Sequence, residues 1–222
     1  MDKILWEYLE MLAEQETSWY DWNRNLSDWR CFNTFCNYFL KVEEGHAKFL
    51  ECTTPCEYGC PRQIMENSPS DIAAICPQEK AEPIPLKLKD ILVYSLRHED
   101  FHKAICAALQ IAQPPECRRS ECSKAWYLGE HSDITMAVYL TYHTAPLTLT
   151  ESISSLCMLL RRTPFILMAP TGRGMTLEAQ QILAENDSVF LSLADELVLR
   201  QDGSFKVVRS VSECMNPVLC KA

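Results

Sequence analysis

Apolar residues recur along this chain at two periods, and the switches between them outline its elements. Ile4, Leu5, Tyr8, Leu9 and Leu12 fall at the spacing of one helix face, which predicts an amphipathic helix over 3–15. Ser18 stands three residues before Asp21, a capping-box-like start to a second helical stretch. Along that stretch Trp22, Leu26, Trp29, Phe32, Phe35, Cys36, Phe39 and Leu40 make a long apolar and aromatic stripe. The pattern predicts a helical pair within 1–46. The stripe has two readings: packing against the rest of the fold, or a docking surface anchored by tryptophans such as Trp22 and Trp29.

From 47 onward the period shortens to that of strands. Residues 47–51 read as one strand, and 62–66 with 71–75 read as a hairpin turning at Asn67-Ser68-Pro69-Ser70. The polar, proline-bearing run from Gln78 to Pro85 reads as a linker over 78–89. Beyond it strands and helices alternate. Strand patterns fall at 90–96, 125–128, 134–142, 164–168, 189–193, 196–199 and 205–208. Helical patterns follow Phe101, Thr150 and Thr176, the two threonines being placed to cap. The alternation predicts an α/β domain over 90–222, a mixed sheet covered by helices, with α+β as the alternative class.

The 47–77 segment carries the most specific chemistry. Cys52, Cys56, Cys60 and Cys76 lie beside Pro55, Gly59, Pro61 and Pro77, residues that make tight turns. The hairpin returns Cys76 toward the other three. Four thiolates gathered on turns suit a closed tetrahedral zinc ion in a structural role. Over 47–77 the arrangement resembles a zinc ribbon, with three residues between its first two cysteines where the common form has two. Disulfides are the next reading of the same cysteines, and an iron–sulfur cluster the third, since a Cys-Pro pair after clustered cysteines also suits one.

Composition bears on that ranking. The chain of 222 residues has twelve cysteines and a formal charge of -9. No basic start followed by an apolar run marks a signal peptide, and no apolar stretch has the length of a membrane helix. A cytoplasmic location follows as the expectation, with thiols mostly reduced, which favours metal over disulfides. Cys106 and Cys157 fall on apolar helix faces and read as core residues; Cys117 with Cys122, and Cys214 with Cys220, are candidates for a second metal site. The acidic balance disfavours non-specific contact with phosphate backbones.

Three further motifs compete for function. His98-Glu99-Asp100-Phe101-His102 fits the His-Glu-x-x-His pattern of zinc metalloproteases, in which two histidines share a helix face and the glutamate serves a metal-bound water. Charged Asp100 and Lys103, and a position where a strand gives way to a helix, argue for a solvated first turn instead. Pro170-Thr171-Gly172-Arg173-Gly174-Met175-Thr176 links a strand to a helix, and Gly172, Arg173 and Gly174 could hold an anion there. Arg118-Arg119, Arg161-Arg162 and Arg62 could form a phosphate-binding footprint if folding gathers them. The best overall reading is a non-enzymatic adaptor with a structural four-cysteine zinc site. Its protein partner would dock on the N-terminal aromatic helices, within a nucleic-acid-handling complex. The alternatives are a DNA- or RNA-binding protein, using the zinc module and arginines, and a zinc metalloprotease through His98, Glu99 and His102.

Overall fold

The computed structural model describes residues 3–26, 30–52, 60–112, 114, 118–121 and 123–209. Trp29, Cys56, Cys117, Cys122, Cys214 and Cys220 lie outside the described residues. The N-terminal part holds α1 (Lys3–Leu12), β1 (Thr17–Ser18), α2 (Trp19–Leu26), α3 (Phe32–Phe39) and β2 (Leu40–His46). Next come β3 (Phe49–Leu50), β4 (Arg62–Ser68), β5 (Asp71–Ile75), β6 (Ile84–Leu86), a 3-10 turn (Leu88–Ile91) and β7 (Leu92–Leu96). Then follow α4 (His98–Ala108), β8 (Ile111–Ala112), β9 (Arg118–Arg119), β10 (Trp126–His131) and β11 (Ala137–Leu140). The last are α5 (Pro146–Leu159), β12 (Phe165–Ala169), α6 (Leu177–Glu185), β13 (Val189–Ser192), α7 (Leu193–Glu196), β14 (Leu197–Leu199) and β15 (Phe205–Val207).

The main sheet has the order β13-β12-β11-β10-β8, with β9 also on β10. Strands β11, β12 and β13 are parallel, and β10 joins them antiparallel. The fold is therefore of the α/β class, as the alternation implies. The run Phe165-Ile-Leu-Met-Ala169 is buried at every position, because a central parallel strand is covered on both faces. Its alternate residues divide accordingly. Ile166 and Met168 join a core with the N-terminal helices, while Phe165 and Leu167 pack with Leu149, Ile153 and Leu156 of α5 and with Leu183 of α6.

Local signals fix several boundaries. The Ser18 hydroxyl accepts from the backbone N–H of Asp21 at 3.1 Å and donates to its carboxylate at 2.9 Å, which fastens the start of α2. Thr176 caps α6 by accepting from the Ala179 amide at 3.0 Å. Thr150 does not cap α5: the helix starts a turn earlier with Pro146 in its first turn, and the Thr150 hydroxyl donates to the Pro146 carbonyl at 2.8 Å.

Two expectations about organisation change. The 78–89 segment is more than a linker, since β6 pairs with β5 and completes a four-stranded antiparallel sheet, β3-β4-β5-β6. Pro85 is accommodated because β6 is an edge strand and needs no second ladder bond. The helical N-terminus is also not separate from the C-terminal part. Strand β7 pairs with both β1 and β2, and Trp6, Trp22, Phe35 and Phe39 share one core with Phe101, Ile166 and Phe205. The aromatic stripe expected as a docking surface is thus interior: Trp22 and Phe35 have no exposed area and Phe39 has 2 %. Hydrophobic spacing marks a buried face without saying which partner buries it, and here the partner is the same chain.

The loops after β11 and β12 touch closely. A Cβ on Gly174 would lie 1.6 Å from the Thr144 carbonyl oxygen, whereas one on Gly172 would meet nothing nearer than 3.7 Å. Gly174→Ala should therefore destabilise the fold by roughly 1–3 kcal/mol, the usual cost of overpacking, while Gly172→Ala stays near the parent. Denaturant unfolding of the two variants checks the contrast.

Candidate functional site

Two places in the fold gather chemistry-bearing side chains. The first is one end of the small sheet. Leu50 pairs with Arg62 and Gln63 with Ile75. Continuing those registers brings Cys52 opposite Cys60, and Cys76 opposite Arg62. Strand alternation puts all three cysteines on the face that carries Leu50, Arg62 and Ala74, the face turned to the module's small core of Leu50, Ile72, Ala74, Leu86 and Ile91. Cys76 is buried; Cys52 and Cys60 are half-buried.

The chain turns directly after Cys76. Backbone amides of Lys80 and Gln78, then Ala81, donate to its sulfur, and the Arg62 guanidinium lies near; against the opposing effect of burial they hold the thiol below its ordinary pKa. In that turn the Glu79 amide donates to the Cys76 carbonyl at 3.1 Å, with Glu79 itself at positive φ. Amide donors aimed at sulfur favour a thiolate, the form that ligates metal. Arg62 is buried and donates to the Glu82 carbonyl at 2.7 Å, tying the turn to β4. Among the described residues no three His, Cys, Asp or Glu side chains are gathered closely enough to hold a metal. The expected set includes Cys56, which lies outside them.

The second place is the crevice at the C-terminal ends of β11 and β12, where ligands of open α/β sheets sit. Here helix α1 fills it. Its apolar face, with Leu5, Trp6 and Leu9, enters the core together with Ala13 of the turn that follows. Its acidic face and the turn after it meet the loops: Glu7 accepts from the Arg173 guanidinium, Glu10 from the Thr171 hydroxyl, and Glu14 of the turn pairs with Arg119 at 2.7 Å and with His143 at 3.0 Å. The anion site expected at Gly172, Arg173 and Gly174 is consequently already supplied with a carboxylate. An incoming anion would compete with Glu7, although the exposed pair itself is worth no more than about 1 kcal/mol. Arg119 joins this crevice, while Arg62 sits under the cysteine end and Arg161 and Arg162 follow α5, so the arginines are not gathered in one footprint.

The His98 and His102 rings lie on the inner side of α4, with centroids 5.6 Å apart. His102 has no exposed area, and its Nε2 is 3.1 Å from the Tyr142 hydroxyl. His98 stacks on Trp126, centroids 5.2 Å apart at 19°. Burial pushes the His102 pKa down to about 3, with the neighbouring His98 adding to the shift. Burial also lowers His98, partly opposed by Glu14. Glu99 points the other way: its side chain is 76 % exposed and bonded to Lys103 at 2.6 Å. The two histidines of the His-Glu-x-x-His motif therefore share a buried face, and the glutamate is outside it. Periodicity puts residues 98 and 102 on one face; Trp126, Tyr142 and Glu14 come to them from distant segments and carry no sequence signal.

No protein-family model, curated protein or solved structure matches the chain. No helix among the described residues is long and apolar enough to cross a membrane.

His102 makes stability depend on pH. Its folded pKa of about 3 lies below the ordinary 6.5, so the unfolded chain binds the extra proton between those values. Stability falls as pH drops from 6.5 toward 3, by up to about 1.4 kcal/mol per unit from this group. His102→Gln should flatten the pH dependence in that window, as followed by denaturant unfolding at stepped pH.

Proposed function

We propose that this chain is a non-enzymatic zinc-binding interaction protein, in which Cys52, Cys56, Cys60 and Cys76 hold one structural zinc ion. The observation that carries this reading is the strand register, which brings Cys52, Cys60 and Cys76 to one end and one face of the small sheet; the lowered pKa of the Cys76 thiol supports it. Peptide amides directed at a cysteine sulfur serve a thiolate ligand, and a buried apolar thiol needs none of them. Zinc would supply a tetrahedral cross-link between the β3–β4 connection and the end of β5. The module's own core is small, so that cross-link contributes to its folding.

The partner surface in this reading moves from the buried N-terminal aromatics to the outer face of the same sheet. Phe49, Met65 and Ile75 alternate away from the small core and are exposed by 55 %, 41 % and 39 %. Phe49 and Ile75 lie in one row across Gln63, and Met65 stands two residues along β4 on the same face. A row of large apolar side chains on a sheet held rigid by metal suits a protein partner. The position of Glu99 outside the histidine face favours an interaction role over peptide hydrolysis.

Elemental mass spectrometry on protein purified without added metal should find one zinc per chain. Cys60→Ser and Cys76→Ser should each lose it and lower the melting temperature, while Phe49→Glu/Ile75→Glu keeps both metal and fold. Protein that binds no zinc, or that keeps it in both cysteine variants, would sink the reading; iron with sulfide would replace it by a redox role.

A further inference from the structure

Helix α4 turns its histidines inward and borders a cleft along another side. There Asp100, Ala104, Ala107 and Ala108 fall at the spacing of one helix stripe. The rest of the lining comes from the end of α3, with Asn37, Tyr38 and Phe39, and from the turn between β14 and β15. The space measures about 590 Å³, within the range of small-molecule sites. Alanine keeps α4 from filling it: Ala107 is exposed and Ala104 and Ala108 half-buried, at positions where the stem of a longer side chain would cover the surface. Phe39 and Phe205, stacked at 15° and almost fully buried, add aromatic carbon to the lining.

The walls are tied to one another. Arg97 pairs with Asp100 at 3.3 Å and donates to the Asn37 carbonyl at 2.5 Å, which fastens the start of α4 to α3. Gly203, at φ +81°, lies so close to Tyr38 that a Cβ would stand 2.6 Å from the ring, so the β14–β15 turn is seated on α3. Most of the charged groups in the lining are occupied. Lys103 is held by Glu99 at 2.6 Å, and the Asp202 carboxylate accepts from the Ser204 N–H at 3.0 Å and hydroxyl at 2.6 Å. Arg200 differs: its side chain is exposed, and among the described residues its guanidinium holds no carboxylate.

We propose that this cleft binds a small amphipathic monocarboxylate, with the Arg200 guanidinium taking the carboxylate and the alanine stripe of α4 taking the apolar body. A guanidinium matches a carboxylate with two parallel N–H donors, a geometry that an ammonium lacks. Asp100 and Asp202 also line the cleft and repel a second negative charge, so a phosphate-like dianion fits less well. The methyl groups of Ala104, Ala107 and Ala108 leave room for a flat ring or a short alkyl chain beside Phe39 and Phe205. Because the walls are already fixed to each other, little ordering is lost when a ligand enters. The site belongs to α3, α4, β14 and β15 and stands apart from the zinc reading of the small sheet.

Phenylacetate titrated into the isotope-labelled full chain, followed by amide and arginine Nε–H NMR, tests this. The signals of Arg200 Nε–H, Gly203 and Ala107 should move together, with a Kd of about 1 mM or below. Neutral phenylacetamide, and phenylphosphonate as its dianion, should each bind roughly tenfold more weakly. Arg200→Gln removes the carboxylate's partner, and Ala107→Leu fills the cleft with no change of charge; each should weaken phenylacetate by roughly tenfold or more. Both positions are exposed, so both variants should keep the parent spectrum elsewhere. Cleft signals that stay in place in the parent at about 10 mM phenylacetate would overturn the proposal. So would phenylacetamide or phenylphosphonate binding as tightly, or a titration that Ala107→Leu leaves unchanged.

Discussion

Aromatic rings from four elements meet at one point, and the remainder of the structure depends on that meeting. Trp6 of α1, Phe39 of α3, Phe101 of α4 and Phe205 of β15 form ring pairs with centroids 5.3–6.1 Å apart, Phe35 of α3 touches two of them, and Phe39 and Phe205 stack at 15°. Ring pairs of this kind add about 0.5–1.5 kcal/mol each beyond the area they bury. Because the cluster takes α1 from the start of the described chain and β15 from its end, it sets where α1 lies. The seating of α1 in turn aims Glu7 and Glu10, and Glu14 of the turn that follows, at the strand ends.

That placement decides what the α/β sheet can do. The crevice beyond parallel strands usually receives a ligand; in this fold it receives a helix whose opposite face is locked in the core. Opening it would expose Leu5, Trp6 and Leu9, all at most 1 % accessible, at several kcal/mol by area alone. The helix is therefore part of the site's wall. A nucleotide-sized ligand would have to displace it.

Features governed by neighbours in sequence are legible. The hairpin of β4 and β5, the Ser18 and Thr176 caps and the buried strand β12 all follow from spacing and turn residues. The start of α5 is harder to place, because Thr150 is a good cap, whereas Pro146 fixes the first turn with no side-chain oxygen at all. Strand β6 is hidden by Pro83 and Pro85, which read as linker until an edge position is available for them. The aromatic stripe is one face, as its spacing says, but its burial against Phe101 and Phe205 depends on contacts across most of the chain. The same holds for the histidines: their common face is periodic, whereas Trp126, Tyr142 and Glu14 arrive only through the fold. The amides around Cys76 belong to a turn whose shape no residue type announces.

The ring cluster also governs the order in which the chain can mature. Trp6 and Phe39 emerge well before Phe205, the ring that both of them pack against. Until then the N-terminal helices carry an apolar face with no permanent cover. The small sheet differs: its strand pairs lie close in sequence and can close as soon as β6 has left the ribosome. Topologies dominated by such distant contacts fold slowly and expose sticky intermediates. Between the synthesis of Phe39 and that of Phe205, the apolar face of these helices therefore needs shielding from other chains.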